Sequence, residues 1–149
     1  MRLLVLCLGL ALSAEAARAE WTYDPAPLPA GEALGPGPGG LSLAVSCGNG
    51  GLPAVEVRGW EPPKGMEPLF VLSVDDGAEE LIPGACLPGS ARCLVSFETL
   101  DQAQGFVRAL RRGSRADIGL YRNGMLGTVG LTGSDASIGR VGAGGCELD

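Results

Sequence analysis

Residues 116–131, Ala-Asp-Ile-Gly-Leu-Tyr-Arg-Asn-Gly-Met-Leu-Gly-Thr-Val-Gly-Leu, carry the reading on which the fold turns. Asn123-Gly124 stands between two alternating runs, Ala116 to Tyr121 and Leu126 to Leu131. An Asn-Gly pair tolerates the positive φ angles of a two-residue hairpin turn. Such a turn pairs Leu120 with Gly127, Ile118 with Val129, and Ala116 with Leu131 on one face. The opposite face then pairs Tyr121 with Leu126, Gly119 with Thr128, and Asp117 with Gly130, which separates apolar from mostly polar residues. A slip of one residue would turn Ile118 and Val129 out to water, so turn chemistry and hydrophobic pattern agree on an antiparallel hairpin.

Just before the hairpin, Leu100, Ala103, Val107 and Leu110 recur at helical spacing, with Phe106 widening the stripe and Gly113 following it. Thr99 suits the N-cap, Asp101 the positive N-terminal end, and Arg111 and Arg112 the negative C-terminal end. A shorter helix is expected after Gly133, capped by Ser134 and using Ala136, Ile138 and Val141. Gly139 and Gly142 weaken it by about 1 kcal/mol each relative to alanine. Further upstream, Leu41 to Cys47, Val55 to Gly59, Leu69 to Val74 and Leu94 to Phe97 are short apolar or alternating runs separated by turn residues, and read as strands. Asp75-Asp76-Gly77 is a hairpin turn with a return strand through Leu81-Ile82. The pattern predicts an α+β domain over 41–149: an antiparallel sheet-dominated fold with one main helix and a short C-terminal helix.

Asp24 to Gly40 holds prolines at 25, 27, 29, 36 and 38 and glycines at 31, 35, 37, 39 and 40. That composition reads as a Pro/Gly-rich arm over 20–40. Trp21 and Tyr23, an aromatic pair at period two, leave a second reading open, a short strand added to a sheet edge. Ahead of the arm, Arg2, the apolar run Leu3 to Ser13 and the small-residue site Ala17-Arg18-Ala19 mark residues 1–19 as a signal peptide. An uncharged run of 11 residues is too short for a membrane span, which needs roughly 20. The whole chain has 17 acids and 11 bases; without Arg2, Glu15 and Arg18, 16 acids face 9 bases, seven negative charges net. That balance disfavours nucleic acid as a partner.

Cys7 leaves with the leader, and Cys47, Cys86, Cys93 and Cys146 remain. An even number in an exported chain makes two disulfides the default, with three connectivities possible. A chain reversing at Pro88-Gly89 can bring Cys86 to Cys93, and the remainder pairs Cys47 with Cys146. Four separated cysteines without a C-x-x-C pair or a histidine match no usual zinc pattern.

The leader, an early Trp21, a strand ending in Cys47, the turn Ser73-Val74-Asp75-Asp76-Gly77, the helix segment Phe106-Val107-Arg108-Ala109-Leu110 and a closing Leu131-Thr132-Gly133-Ser134 before Cys146 occur in that order. This order resembles small exported bacterial proteins of the VasI type, associated with type VI secretion. The resemblance implies an accessory role in the cell envelope without established catalytic residues. The Pro/Gly-rich stretch and the pair Cys86 and Cys93 depart from the family's pattern.

Histidine is absent, which removes the usual nucleophilic triads. Lys64, in Gly-Trp-Glu-Pro-Pro-Lys-Gly, reads as a solvated loop lysine rather than a serine's base. Asp75 with Asp76 and Glu79 with Glu80 flank a turn, lack the D-x-D-x-D-G calcium pattern and read as solvated. The glycine stretches 48–51 and 142–145 do not join a strand to a substantial helix, as a phosphate-cradling loop should. No cofactor is expected.

Two features are left as candidate sites. Arg108, Arg111, Arg112, Arg115 and Arg122 hold five of the nine bases of the processed chain. Arg108 and Arg112, four apart, share a face and can engage a carboxylate, phosphate or anionic glycan; the plainer alternative is a solvated face pairing with acids such as Asp101. The second is the stapled segment Leu87 to Arg92, where a proline and a local disulfide can present a rigid, extended loop to a protease, with Leu87 or Arg92 as primary contact; the plainer alternative is a stapled turn. The expected molecule is therefore a noncatalytic periplasmic or secreted module that binds a protein or an anionic envelope component, with no transmembrane segment after processing. The alternative is a protease inhibitor built on the Cys86–Cys93 loop.

Overall fold

Alternation in the sequence becomes alternation of burial: Pro53, Val55 and Val57 face inward along one strand while Ala54, Glu56 and Arg58 do not. The computed structural model describes residues 20–149, so the leader expected over 1–19 lies outside the described residues. In chain order the elements are β1 (Thr22–Asp24), β2 (Glu32–Pro36), β3 (Ser42–Cys47), β4 (Pro53–Arg58), β5 (Leu69–Val74), β6 (Glu80–Leu87), β7 (Arg92–Val95), α1 (Leu100–Arg112), β8 (Arg115–Leu120), β9 (Gly124–Gly130) and α2 (Ser134–Ala143). The nine strands form one curled antiparallel sheet in the order β1-β2-β3-β4-β7-β6-β5-β8-β9. This is the α+β class expected, with one main helix, a short C-terminal one and two disulfides.

Val45, Val55, Val57, Phe70, Leu72 and Ile82 of the sheet share one core with Phe106, Val107 and Leu110 of α1 and Ile138 and Val141 of α2. Thr99 caps α1 as expected, its Oγ1 accepting from Gln102 N at 3.1 Å, and Gly113 closes it. Ser134 does not cap α2. Gly133 takes that position in a left-handed conformation, φ 80°, and the Ser134 hydroxyl instead donates to the Leu110 carbonyl at 2.7 Å, fastening α2 to α1.

The expected arm over 20–40 is corrected by the structure. β1 pairs with β2 and β2 with β3, so this stretch forms one end of the sheet. The breakers are harmless because Pro25, Pro27, Pro29 and Gly31 fall in the connection between β1 and β2, and Pro36 ends a strand. Trp21 is 5% exposed. Its ring lies so close over Gly35 that a Cβ there would come within 2.1 Å of Cε2, which requires glycine. Its indole Nε1 donates to Gly130 O at 2.9 Å and its backbone N to Thr132 O at 3.0 Å. Curling thereby brings β9, at one end of the strand order, to the start of β1 at the other, and Trp21 is the clamp.

The β8–β9 hairpin differs from expectation in its turn. Asn123 N donates to Leu120 O at 3.0 Å, Arg122 takes φ 64° and Gly124 φ 85°, so three residues, 121–123, form the loop. A bulge between Ile118 and Gly119 follows, and beyond it Ile118 pairs with Gly127, Asp117 with Thr128, and Ala116 with Val129. These partners lie two residues from the expected ones. Two is the period of a strand, so the faces survive: Ala116, Ile118, Val129 and Leu131 are all buried. The observed register also lets Thr128 Oγ1 donate to Asp117 at 2.6 Å, a cross-strand contact the expected pairing lacked.

Candidate functional site

β6 changes partners midway. Its first half, Glu80 to Pro83, pairs with β5, and its second half, Gly84 to Leu87, pairs with β7. Pro68, just ahead of β5, ends the β5 ladder because proline has no N–H to offer; its carbonyl accepts from Gly84 N at 2.9 Å, and the residues before it lie outside the sheet. Backbone groups alternate sides along a strand. Gly84 N points toward the β5 side, whereas Pro83 O points to the β7 side and accepts from Ser96 N at 2.8 Å. The N–H and C=O of Cys86 are thereby turned to the side that β5 has vacated. On the β7 side Cys86 sits directly opposite Cys93, with a Cα separation of 3.9 Å, and the two are bridged.

The segment Glu61 to Pro68 bows around this gap. Glu61 Oε1 accepts from Gly89 N at 3.0 Å, and with the Gly84–Pro68 bond this holds both ends of the bow. Between them lies a groove of about 790 Å³ lined by residues 61–68 and 83–89. Its walls are largely apolar, with Pro62, Pro63, Met66, Pro83 and Leu87, the last 61% exposed. Trp60, just before the bow, packs edge-on against Phe70 with ring centroids 6.0 Å apart. Lys64 lines the groove, as an exposed residue, and no serine lines it. Sequence reading missed this groove, since the departure of one strand from another depends on pairing over distance. Pro68, a strand-ending proline ahead of Leu69, was the local signal.

The stapled segment Leu87 to Arg92 is not an extended loop. Leu87 and Arg92 are ladder partners, and Pro88 to Ala91 form a tight turn with positive φ at Gly89 and Ala91 and a bond from Ser90 N to Leu87 O at 3.2 Å. Arg92 is held by Glu56, Nη2 to Oε2 at 2.9 Å. Glu56 also takes Arg58 Nε at 2.7 Å, and Glu32 takes both terminal nitrogens of Arg58. The hydrogen bonds that Arg58 donates to Glu32 raise the Arg58 pKa above its ordinary value; burial opposes this and Glu56 reinforces it.

The five arginines do not form one patch. Arg115 pairs with Asp76 and approaches Asp117 at 3.6 Å; the Asp76 hydrogen bond, foremost, raises its pKa. Arg122 lies over the Tyr121 ring, 5.1 Å from its centroid. Arg108, Arg111 and Arg112 line a cavity of about 470 Å³ with Asp135 and Asp149. Arg111 pairs with both acids there, at 2.7 and 3.5 Å, and not with Asp101.

Asp75, expected to be solvated, accepts from the backbone N–H groups of Ser114 and Arg115 at 2.9 and 3.0 Å and so fixes the entry to β8. Cys47 and Cys146 are bridged across a separation of 99 residues, with Cα atoms 5.5 Å apart, joining β3 to the segment after α2. Among the described residues no three of His, Cys, Asp or Glu are grouped to hold a metal, and no helix is long and apolar enough to cross a membrane.

No family model matches the chain, and no curated protein matches it. Among solved structures, the crystal structure of invasion-associated protein B from Bartonella henselae is similar with a TM-score of 0.45 and 21% identity, over 69% of this chain and 73% of that one.

Proposed function

We propose that this protein is a noncatalytic exported module of the cell envelope, an accessory to secretion, that binds an extended segment of a partner protein along the open half of β6. The observation that carries the reading is the Cys86 edge. A strand edge with a free N–H and C=O, set in a groove with apolar walls, matches the way sheets recognise peptides by adding a strand. Two disulfides support an oxidising compartment. The link to secretion rests on the resemblance of the motif order to that of exported proteins of the VasI type.

The test is capture from envelope extracts with the disulfide-bonded protein, followed by crosslinking. A discrete protein crosslinked to residues 61–68 or 84–89, and lost in the double variant Met66→Glu with Leu87→Glu, is expected. Capture that the double variant leaves unchanged, or crosslinks confined to other faces, would refute the assignment.

A further inference from the structure

The cavity between α1, the first turn of α2 and the last residues of the chain has walls held from several directions. Ser134 ties the start of α2 to Leu110. Gln104, 8% exposed, donates from Nε2 to main-chain oxygens of Glu147 and Asp149 at 3.2 and 3.0 Å. Cys146 is bridged to Cys47, and Glu147 N donates to Gly51 O at 2.8 Å. Three guanidinium groups and two carboxylates line the space.

Arg111 is engaged by both carboxylates, and Arg108 and Arg112 have no ion-pair partner among the described residues. Residues four apart on a helix are neighbours, and like charges there repel. This repulsion persists in a chain whose net charge is −6. An anion set between the two groups converts the repulsion into two charge-assisted contacts.

We infer that this cavity binds a phosphate-class dianion bridged by Arg108 and Arg112. A tetrahedral dianion presents oxygens to two planar donor forks at once, whereas one carboxylate is matched by a single fork. Asp135 and Asp149 keep Arg111 in place, so Arg108 and Arg112 are the two guanidinium groups of this lining left for a ligand. This site is separate from the β6 groove, and neither depends on the other.

The disulfide-bonded protein is titrated with inorganic phosphate, and in parallel with vesicles of phosphatidic acid in phosphatidylcholine, whose phosphomonoester can carry two charges, or of phosphatidylcholine alone. Binding is followed by the arginine Nε–H resonances and by co-sedimentation. Saturating shifts at Arg108 and Arg112 are expected, with affinity at least about tenfold weaker in Arg108→Gln with Arg112→Gln. Arg122→Gln, outside the cavity, leaves affinity unchanged. Saturation by free phosphate assigns a soluble source; sedimentation with the phosphatidic acid vesicles and not with phosphatidylcholine alone, lost in the double variant, assigns a lipid headgroup; either supports the site. Shifts that fail to saturate with both probes, or equal affinity in a double variant whose circular dichroism is unchanged, overturn it.

Discussion

Trp21→Ala removes the clamp that joins the two ends of the curled sheet. The residue is 5% exposed, lies over Gly35 and donates its indole N–H to Gly130 O at 2.9 Å. Truncation of a buried tryptophan costs about 3–5 kcal/mol, which includes the cavity left behind. The lost hydrogen bond, with Gly130 O stranded near the surface, accounts for about 1 kcal/mol of that. With a urea dependence of about 2 kcal/mol per molar, the unfolding midpoint should fall by about 2 M. Trp21→Phe keeps most of the ring and should lose only about 1 kcal/mol, so the pair of variants separates packing from hydrogen bonding. The assay is equilibrium urea unfolding of the disulfide-bonded protein, followed by far-ultraviolet circular dichroism because the substitution removes a fluorophore. If residues 20–40 were a loose arm, Trp21→Ala would move the midpoint by no more than about 0.3 M, and that result would refute the clamp.

The two disulfides should differ in weight. Closing 99 residues through Cys47 and Cys146 is valued by the chain-entropy model at about 4.7 kcal/mol, and closing the short Cys86–Cys93 loop at about 2.4 kcal/mol, so paired serine variants at 47 and 146 should unfold at markedly lower urea than those at 86 and 93. Asp75→Ala strands the N–H groups of Ser114 and Arg115 and should cost about 1 kcal/mol, with faster amide exchange at residues 114 and 115; unchanged exchange there would remove Asp75 from its structural role.

Local patterns were legible where one residue type has one physical use. The α1 stripe, its Thr99 cap and its Gly113 stop came straight from helical spacing, because capping and periodicity act within a few residues. The β8–β9 hairpin was legible in its faces and not in its register, since a shift of two preserves every inward side chain and only the loop and bulge record it. The Pro/Gly stretch misled because composition counts breakers without saying whether they fall inside strands or between them. The arginine cluster misled likewise: nearness in sequence placed five cations together, and the fold sends Arg115 to Asp76 and Arg122 onto Tyr121, with three left around one cavity.

By itself the sequence determined the class of fold, the main helix, most strand positions and the local Cys86–Cys93 bridge, all of which follow from short-range steric and periodic constraints; Cys47 with Cys146 followed only as the remaining pair. Tertiary structure alone decided that β6 passes from β5 to β7, that Trp21 reaches Gly130, and that Gln104 sets Asp149 beside Arg111. Those outcomes join residues far apart in the chain, and their energies depend on how the whole sheet curls. No window of neighbouring residues contains that information.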